Sequence, residues 1–326
     1  MSFRKDILKI DPQKECDRIT HFLEGQVARF RRDGIIVGLS GGIDSALMAS
    51  LAVKAVGSAR VLGLILPEME SNPASQSYAE KLADHLGIRH KVIDLTSTLK
   101  EVGVYEDRLE TLKKLFPAYD DKYKYNIVLP QNLLEKDRFN ISYLRLVGPS
   151  GDEHSFRLSK GDFLRLTAPA NAKLRLRMLI LYYYAEQDNL LVAGTTNKSE
   201  YLLGYFGKYG DGATDIEGLS HLYKTQIYAL SGHVGVIEEI VNRDPSPDTY
   251  SLPVADKDFF FCLPFETLDM LLYAWANEVP MVEVCEVMGL TEEQVTRVFK
   301  DFEAKARATW HFRCLPPTVD DVDEEL

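Results

Sequence analysis

The sequence predicts an α/β fold: a doubly wound parallel sheet with flanking helices, an inserted β-hairpin and a helical C-terminal part. Three observations carry that expectation. Short apolar, β-branched runs at residues 34–39, 61–66 and 190–193 alternate with helix-like stretches, the pattern of parallel strands covered on both faces. The runs at 34–39 and 190–193 each lead into a turn that opens a helix, which is where ligands of such sheets gather. From Phe265 onward the apolar spacing is helical only.

The elements follow in order. Asp11 and Pro12 read as a helix N-cap and first-turn proline, and Ile19, Phe22, Leu23, Val27 and Phe30 continue at helical spacing. Residues 34–39 (GIIVGL) suit a buried strand, 46–56 a helix, 61–66 (VLGLIL) a second strand, 78–86 a helix and 91–95 a third strand. A helical stretch at 172–187 leads to a fourth strand candidate at 190–193. Between about residues 100 and 170 the alternation is lost. Polar and apolar residues alternate over 138–166 on both sides of Pro149, Ser150, Gly151 and Asp152, as in a hairpin. The expected organisation is therefore one domain over 1–326, with an insertion at roughly 117–166 and a helical C-terminal segment at roughly 265–326. In that segment Leu268, Leu271, Leu272, Trp275, Val295, Val298, Phe299 and Phe302 read as core or dimer contacts.

Composition narrows the function classes. With 326 residues and 45% hydrophobic content the chain can bury a full core. Its 38 basic and 49 acidic residues give a net charge of −11, which argues against a broad nucleic-acid-binding face. Cys16, Cys262, Cys285 and Cys314 form no CxxC pair, so neither a zinc ribbon nor a redox dithiol is expected. The polar start lacks an apolar signal core, and no apolar run approaches the ~18 residues of a membrane span. The expectation is a cytoplasmic enzyme without nucleic acid or membrane partners, ending in a solvated acidic tail at 320–325.

The chemistry starts with Gly38, Leu39, Ser40, Gly41, Gly42, Ile43, Asp44 and Ser45. Glycines admit close approach of a ligand to the backbone, the serines supply hydroxyls, and the free N–H groups of the helix face an anion. Phosphate is the natural guest. Asp44 would repel phosphates unless a divalent cation lay between, which implies Mg2+. A tight turn with serine caps is the plainer alternative, but the strand–loop–helix context of a phosphate motif is present. The loop is no Walker A sequence, lacking its Gly-Lys-Ser/Thr end. It resembles the SGGxDS loop of the ATP pyrophosphatases. A second strand-to-helix turn brings Thr195, Thr196, Asn197 and Glu200 to the same sheet edge, with Glu200 a second candidate metal ligand or simply a partner of the helix dipole. The glycine-rich stretch 203–215, carrying Lys208, Asp211 and Asp215, reads as a mobile active-site loop.

SGGIDSA, GTTNKSEYLLGYFGKYGDGATDIEGL and the preceding NAKLRLRM together resemble ammonia-dependent NAD synthetase. That resemblance implies an adenine-nucleotide-hydrolase-like fold, a homodimer with a long helical interface, and amidation of deamido-NAD by ammonia, with ATP split through an acyl-adenylate to AMP and pyrophosphate. It also implies that residues 38–45 hold ATP with Thr195, Lys224 and Ser246, and that Asp44 and Glu200 bind Mg2+. Arg175, Lys208, Asp215 and His311 fall where the family holds deamido-NAD, Asp211 where it places ammonia, and Lys224 where charge on departing pyrophosphate is neutralised. No glutaminase domain fits beside these motifs, so ammonia is expected free or from a separate glutaminase. The chain departs from the family near the acceptor: Asp258 alone preserves an acid in 254–263, Phe312 replaces a lysine with Arg313 as a substitute, and Ala170 replaces a glycine. A paralogous amide ligase for another carboxylate therefore stays open. A silent nucleotide-binding protein would need a lost metal ligand or lysine, and Asp44, Glu200 and Lys224 are all present.

Overall fold

A computed structural model describes residues 2–129, 133–135, 142–244, 246, 249–253, 255–256 and 260–319. Helix α1 (Pro12–Arg29) is capped by Asp11, whose carboxylate accepts from the Gln13 and Lys14 amides, and it buries Cys16, Ile19, Leu23 and Val27. Phe22 and Phe30, expected on its apolar face, stay partly in solvent. Strand β1 (Gly34–Gly38) feeds α2 (Ile43–Val56), then come β2 (Val61–Ile65), α3 (Pro73–Leu86) and β3 (Arg89–Val92). Helices α4 (Thr96–Glu101) and α5 (Val104–Leu115) precede β4 (Lys124–Val128), β5 (Tyr143–Val147) and β6 (Glu153–Arg157). The long α6 (Lys160–Gln187) returns the chain to β7 (Leu190–Gly194), α7 (Lys198–Leu203), β8 (Ile216–Glu217), α8 (Lys224–Val234) and α9 (Glu238–Val241). The C-terminal part holds α10 (Phe265–Ala276), α11 (Met281–Met288), α12 (Glu292–Ala308) and α13 (Trp310–Arg313).

The main sheet runs β3-β2-β1-β7-β8, with every pairing parallel. The chain winds outward from β1 to β3 and then restarts at β7 on the other side of β1, so the switch point lies between β1 and β7. Their register, Gly34 opposite Leu190 and Ile36 opposite Val192, brings Gly38 and Gly194 to one edge. Strands β1 and β7 are buried almost throughout, as their unbroken apolar runs require. Strand β3 is shorter than expected and largely exposed, because it is an edge whose arginine and lysine meet water. The two-residue β8 escapes sequence reading since it has no periodicity to read.

The expected hairpin is present as β5-β6, and β4, from outside the stretch read as a hairpin, pairs with β5 to complete a three-stranded antiparallel sheet, β4-β5-β6. Its tight turn is closed by Gly148 N–H donating to Asp152 O at 2.8 Å, with Gly151 at φ +82°. The second arm ends at Arg157, short of the alternation at 158–166, because Ser159 caps a helix: its Oγ accepts from the Asp162 amide at 3.1 Å. Helix α6 thus begins twelve residues before the expected start at 172, and it runs through Pro169. The C-terminal aromatics are core: Phe302, Leu268, Leu271, Leu272, Val295 and Val298 enclose one cluster with Leu203 and Phe261. Among the described residues no helix is long and apolar enough to cross a membrane. The acidic tail at 320–325 and Asp258 lie outside the described residues.

A buried charge network ties α6 to its surroundings. Lys173, 1% exposed, donates to Glu68 Oε1 at 3.0 Å, to Glu70 Oε2 at 2.6 Å and to Thr249 O at 3.3 Å. Tyr105 OH donates to Glu68 Oε2 at 2.7 Å, and Arg108 Nη1 lies 2.5 Å from Glu70 Oε2. Removing one partner from such a set strands a buried charge, which is far costlier than losing a surface pair. Lys173→Met is expected to lower the unfolding free energy by about 3–5 kcal/mol in urea titration; a loss below about 1 kcal/mol would mean that water shields the carboxylates.

Candidate functional site

A cavity of about 1000 Å³ opens at the carboxyl ends of β1 and β7. Its floor is the loop after β1. There Ser40 N–H donates to Ser45 Oγ at 3.2 Å, the two serine hydroxyls lie 3.1 Å apart, and Ser45 Oγ donates to Gly42 O at 3.0 Å. The N-cap of α2 is Gly42, without any side-chain cap bond. The serines therefore shape the loop, and the first amides of α2 remain available to an anion. Gly38, Leu39, Ser40, Gly42, Ile43, Asp44 and Ser45 line the cavity. Gly41 sits behind it at φ +73°, where a Cβ would come within 2.3 Å of Ser75 O. Only glycine fits that backbone.

Three helix N-termini converge on one point. Asp44 is in the first turn of α2, Glu200 in the first turn of α7, and Lys224 begins α8. Lys224 Nζ lies 2.5 Å from Asp44 Oδ2 and 3.9 Å from Glu200 Oε1. Asn197 Nδ2 donates to Asp44 Oδ1 at 3.0 Å, while Glu200 and Asn197 form a reciprocal capping box. The dipole-partner reading of Glu200 and its place in the cavity are thus both true. Behind them Asp269 of α10 is fully buried, accepting from Ser199 Oγ at 2.6 Å and from the Thr225 amide at 2.7 Å. The C-terminal helices therefore set the angle at which α7 and α8 point into the cavity.

The electrostatics follow from burial. Desolvation, and then the Asp44 charge beside it, pushes the Glu200 carboxyl well above the usual carboxylate range. Burial opposes the Lys224 charge, but Asp44, Glu200 and Asp256 outweigh it and hold the ammonium protonated beyond the ordinary lysine range. Because burial pushes both Glu200 and Asp256 toward their protonated forms, holding these acids ionised around one lysine calls for a further cation. Among the described residues no cluster of three or more His, Cys, Asp or Glu side chains could hold a metal. Asp44 and Glu200 offer two hard oxygens, the kind of partial set that suits magnesium when phosphate and water supply the rest.

Opposite the loop, the glycine-rich stretch folds into successive turns, with Asp211 Oδ1 accepting from the Gly207 amide at 2.7 Å and Gly210 N–H donating to Gly207 O at 2.8 Å. Phe206, Asp211 and Thr214 line the cavity. Burial raises the Asp211 carboxyl, partly offset by that Gly207 hydrogen bond. Thr195 and Ser246 complete the lining expected for ATP.

Arg175, Lys208, Asp215 and His311 are not among the lining residues. Three of them form a chain on the outside: Arg175 Nε donates to Lys208 O at 3.1 Å, and Lys208 Nζ to His311 O at 2.5 Å. Asp215 instead pins the loop to β7 and α6, accepting from the Val192 amide at 2.8 Å and from Tyr182 OH at 3.1 Å. Phe312 lines the cavity, and Arg313 turns away to the carbonyls of Ala306 and Tyr201 at 2.7 and 3.1 Å. Arg313 is not among the lining residues.

Two lining residues carry no sequence motif. Arg243 donates to Gly41 O at 3.2 Å and to Ser75 Oγ at 2.8 Å, clasping the loop from outside the motif. Asp256, accepting from Tyr205 OH at 3.0 Å, brings an acid from the 254–263 segment into the cavity. Arg243 stands between Asn242 and Asp244, and Asp256 is followed by Lys257 and Asp258, so the sequence offered no signal that separates either from surface charge.

Comparison with known proteins agrees with this geometry. The family model described as NAD synthase matches residues 15–124 and 151–308. A protein named NH(3)-dependent NAD(+) synthetase from Rhizobium meliloti is 40% identical over 99% of this chain and 96% of its own, and one of the same name from Mesorhizobium japonicum is 39% identical over 98% and 100%. Among solved structures, the NMN synthetase of Francisella tularensis superposes with a TM-score of 0.66 at 23% identity, covering 95% of this chain and 99% of that one. The NH3-dependent NAD synthetase of Campylobacter jejuni does so with 0.62 at 24%, covering 95% and 100%. At those identities the structures speak for the fold.

Gly41→Ala is expected to keep the fold but weaken magnesium-ATP binding about ten-fold in calorimetric titration, since the strained alanine must displace the Ser75 backbone. Unchanged affinity would show that the loop adjusts freely.

Proposed function

Because this chain belongs to the NAD synthase family, we propose that it is a carbon–nitrogen ligase that makes NAD by amidating deamido-NAD with ammonia, splitting ATP into AMP and pyrophosphate. The observation that carries this reading is the meeting of the phosphate loop, the Asp44–Lys224–Glu200 cluster and Asp211 around one cavity. A carboxylate is a poor electrophile. In the proposed first step a carboxylate oxygen of the acceptor attacks the α-phosphorus of ATP, forming an acyl-adenylate as pyrophosphate leaves. Residues 38–45 hold the phosphates, with Thr195 and Ser246 on the nucleotide, and Lys224 stabilises charge developing on the leaving group. Asp44 and Glu200 would hold Mg2+, which when bound supplies further neutralisation of the phosphates. Ammonia then attacks the acyl carbon and AMP departs.

Free ammonium cannot attack until it gives up a proton. Asp211, enclosed and with a raised carboxyl, is suited to bind the cation and accept that proton. Asp211→Asn should lower kcat/KM for ammonium by about 100-fold with KM for ATP unchanged; normal turnover at limiting ammonium would remove Asp211 from this role.

We assign Arg175, Lys208, Asp215 and His311 to the periphery of the acceptor, with the Lys208-centred chain bracing the wall formed by Leu174, Phe206 and Phe312. A homodimer through α6 fits its exposed stripe, where Leu164, Leu179 and Tyr183 are 53%, 64% and 60% exposed. Such a stripe on a 28-residue helix favours a second copy over water. Sedimentation is expected to give a dimer that Leu179→Asp splits; a monomeric unaltered chain would rule the interface out. Ammonia is taken free or from a separate glutaminase.

The test supplies magnesium-ATP, ammonium and deamido-NAD, and follows AMP, pyrophosphate and NAD together, which should appear in equal amounts. A second reading, amidation of a different carboxylate, is favoured by Phe312 in the cavity wall where the resemblance expects a lysine. Pyrophosphate release that needs another acid would establish it and overturn deamido-NAD.

A further inference from the structure

Turning ammonium into a carboxamide nitrogen sheds two protons: one before nitrogen attacks, and one from nitrogen after the C–N bond has formed. Asp211 accounts for one. An acid behind the cavity wall that this scheme leaves unused is Glu217 at the end of β8, and its Oε1 accepts from Thr214 Oγ1 at 3.0 Å. Its Oε2 is enclosed without a partner of full hydrogen-bond geometry, and the Thr196 backbone amide is the polar group that stabilises the charged carboxylate from that side. Thr214, Thr196 and Gly194 all line the cavity with Asp211. The Glu217 carboxylate packs over Gly194, where a Cβ would lie 2.2 Å from Oε1, so the absence of a side chain at 194 is what admits it.

The one side-chain hydrogen bond of Glu217 runs through a hydroxyl that itself faces the cavity. Burial, together with the neighbouring Asp211 charge, pushes Glu217 up to about 7 against the pull of the Thr214 hydroxyl and the Thr196 backbone amide. A group of that strength exchanges protons readily near neutrality.

Resting on the reading of ammonia as nitrogen donor, we propose that Thr214 and Glu217 form the outlet for the second proton. The nitrogen–carbon bond forms, and the bond from the acyl carbon to the adenylate oxygen breaks with its electron pair leaving on AMP. The surplus proton on nitrogen passes to Thr214 Oγ1, whose own proton moves to Glu217 Oε1 and later to solvent. The amide keeps two hydrogens. Thr214 touches the reacting nitrogen; Glu217 acts through it, as a positioning residue and proton sink.

Glu217→Gln preserves shape and the Thr214 hydrogen bond but cannot take a proton. The expected result is a fall in kcat at saturating ammonium of about 100-fold, with KM for ATP and for deamido-NAD unchanged and an increased solvent deuterium isotope effect. Thr214→Val should match it, the double variant should be no slower than either, and Glu217→Asp and Thr214→Ser should recover part of the rate. Full activity of Glu217→Gln, additive losses in the double variant, or a loss spread equally over all three substrates' KM values would overturn the relay. Failure of the unaltered protein to make NAD from ammonium would instead overturn the functional reading beneath it.

Discussion

Everything at the site depends on one buried cation. Lys224 is 2% exposed and stays charged because Asp44, Glu200 and Asp256 surround it. Those acids in turn could not crowd together without it, since like charges at such distances penalise each other's ionisation. The cluster gathers the first turns of α2, α7 and α8 into one place. The first amides of α8 are taken by Ser199, Asp269 and Tyr223, whereas the start of α2 has no side-chain cap, so the anion-receptive edge beside the cation-centred cluster is that of α2. A polyanionic nucleotide with a divalent cation satisfies both.

The support behind that cluster comes from distant sequence. Asp269 on α10 holds Ser199 and the Thr225 amide, and so fixes how α7 and α8 approach Asp44. Helices α10 to α12 form their own apolar core around Phe302, and through Asp269 that core is coupled to the nucleotide side of the cavity. The Lys173 network does comparable work on the other wall, binding α6 to the segment after β2 and to Thr249. Arg243 closes the remaining side by clasping Gly41 and Ser75. The cavity is therefore walled by polar ties between elements far apart in sequence, while the sheet beneath it is held by apolar burial.

Strands β1, β2 and β7 and helices α1 and α2 were legible because burial on both faces, or on one helical face, writes a continuous or periodic apolar pattern. The short β8 and the edge β3 were poorly legible, since two residues have no period and an edge strand may be polar. The stretch at 158–166 misled because its alternation suits a strand, whereas the Ser159 cap starts a helix there. In the site, Ser40, Asp44, Thr195, Glu200 and Asp211 were readable from local motifs, Lys224 and Ser246 only from the family resemblance, and all of them face one cavity. Arg243, Asp256 and Glu217 were not, because no local spacing distinguishes a charged side chain that folds inward from one that meets water.

By itself the sequence determined the strand–loop–helix units, the residue types that phosphate and carboxyl chemistry need, and the family to which those motifs belong. These are local properties, set by backbone freedom at glycine, by N-caps and by apolar periodicity. Only the tertiary structure decided which charges share a pocket: that Lys224 sits between Asp44 and Glu200, that Arg313 turns to helix carbonyls, and that Asp215 pins β7 while Asp211 faces the cavity. The reason is physical. Desolvation and Coulomb terms depend on distances between residues as much as 180 positions apart, and those distances exist only after the sheet has brought Gly38 and Gly194 to one edge.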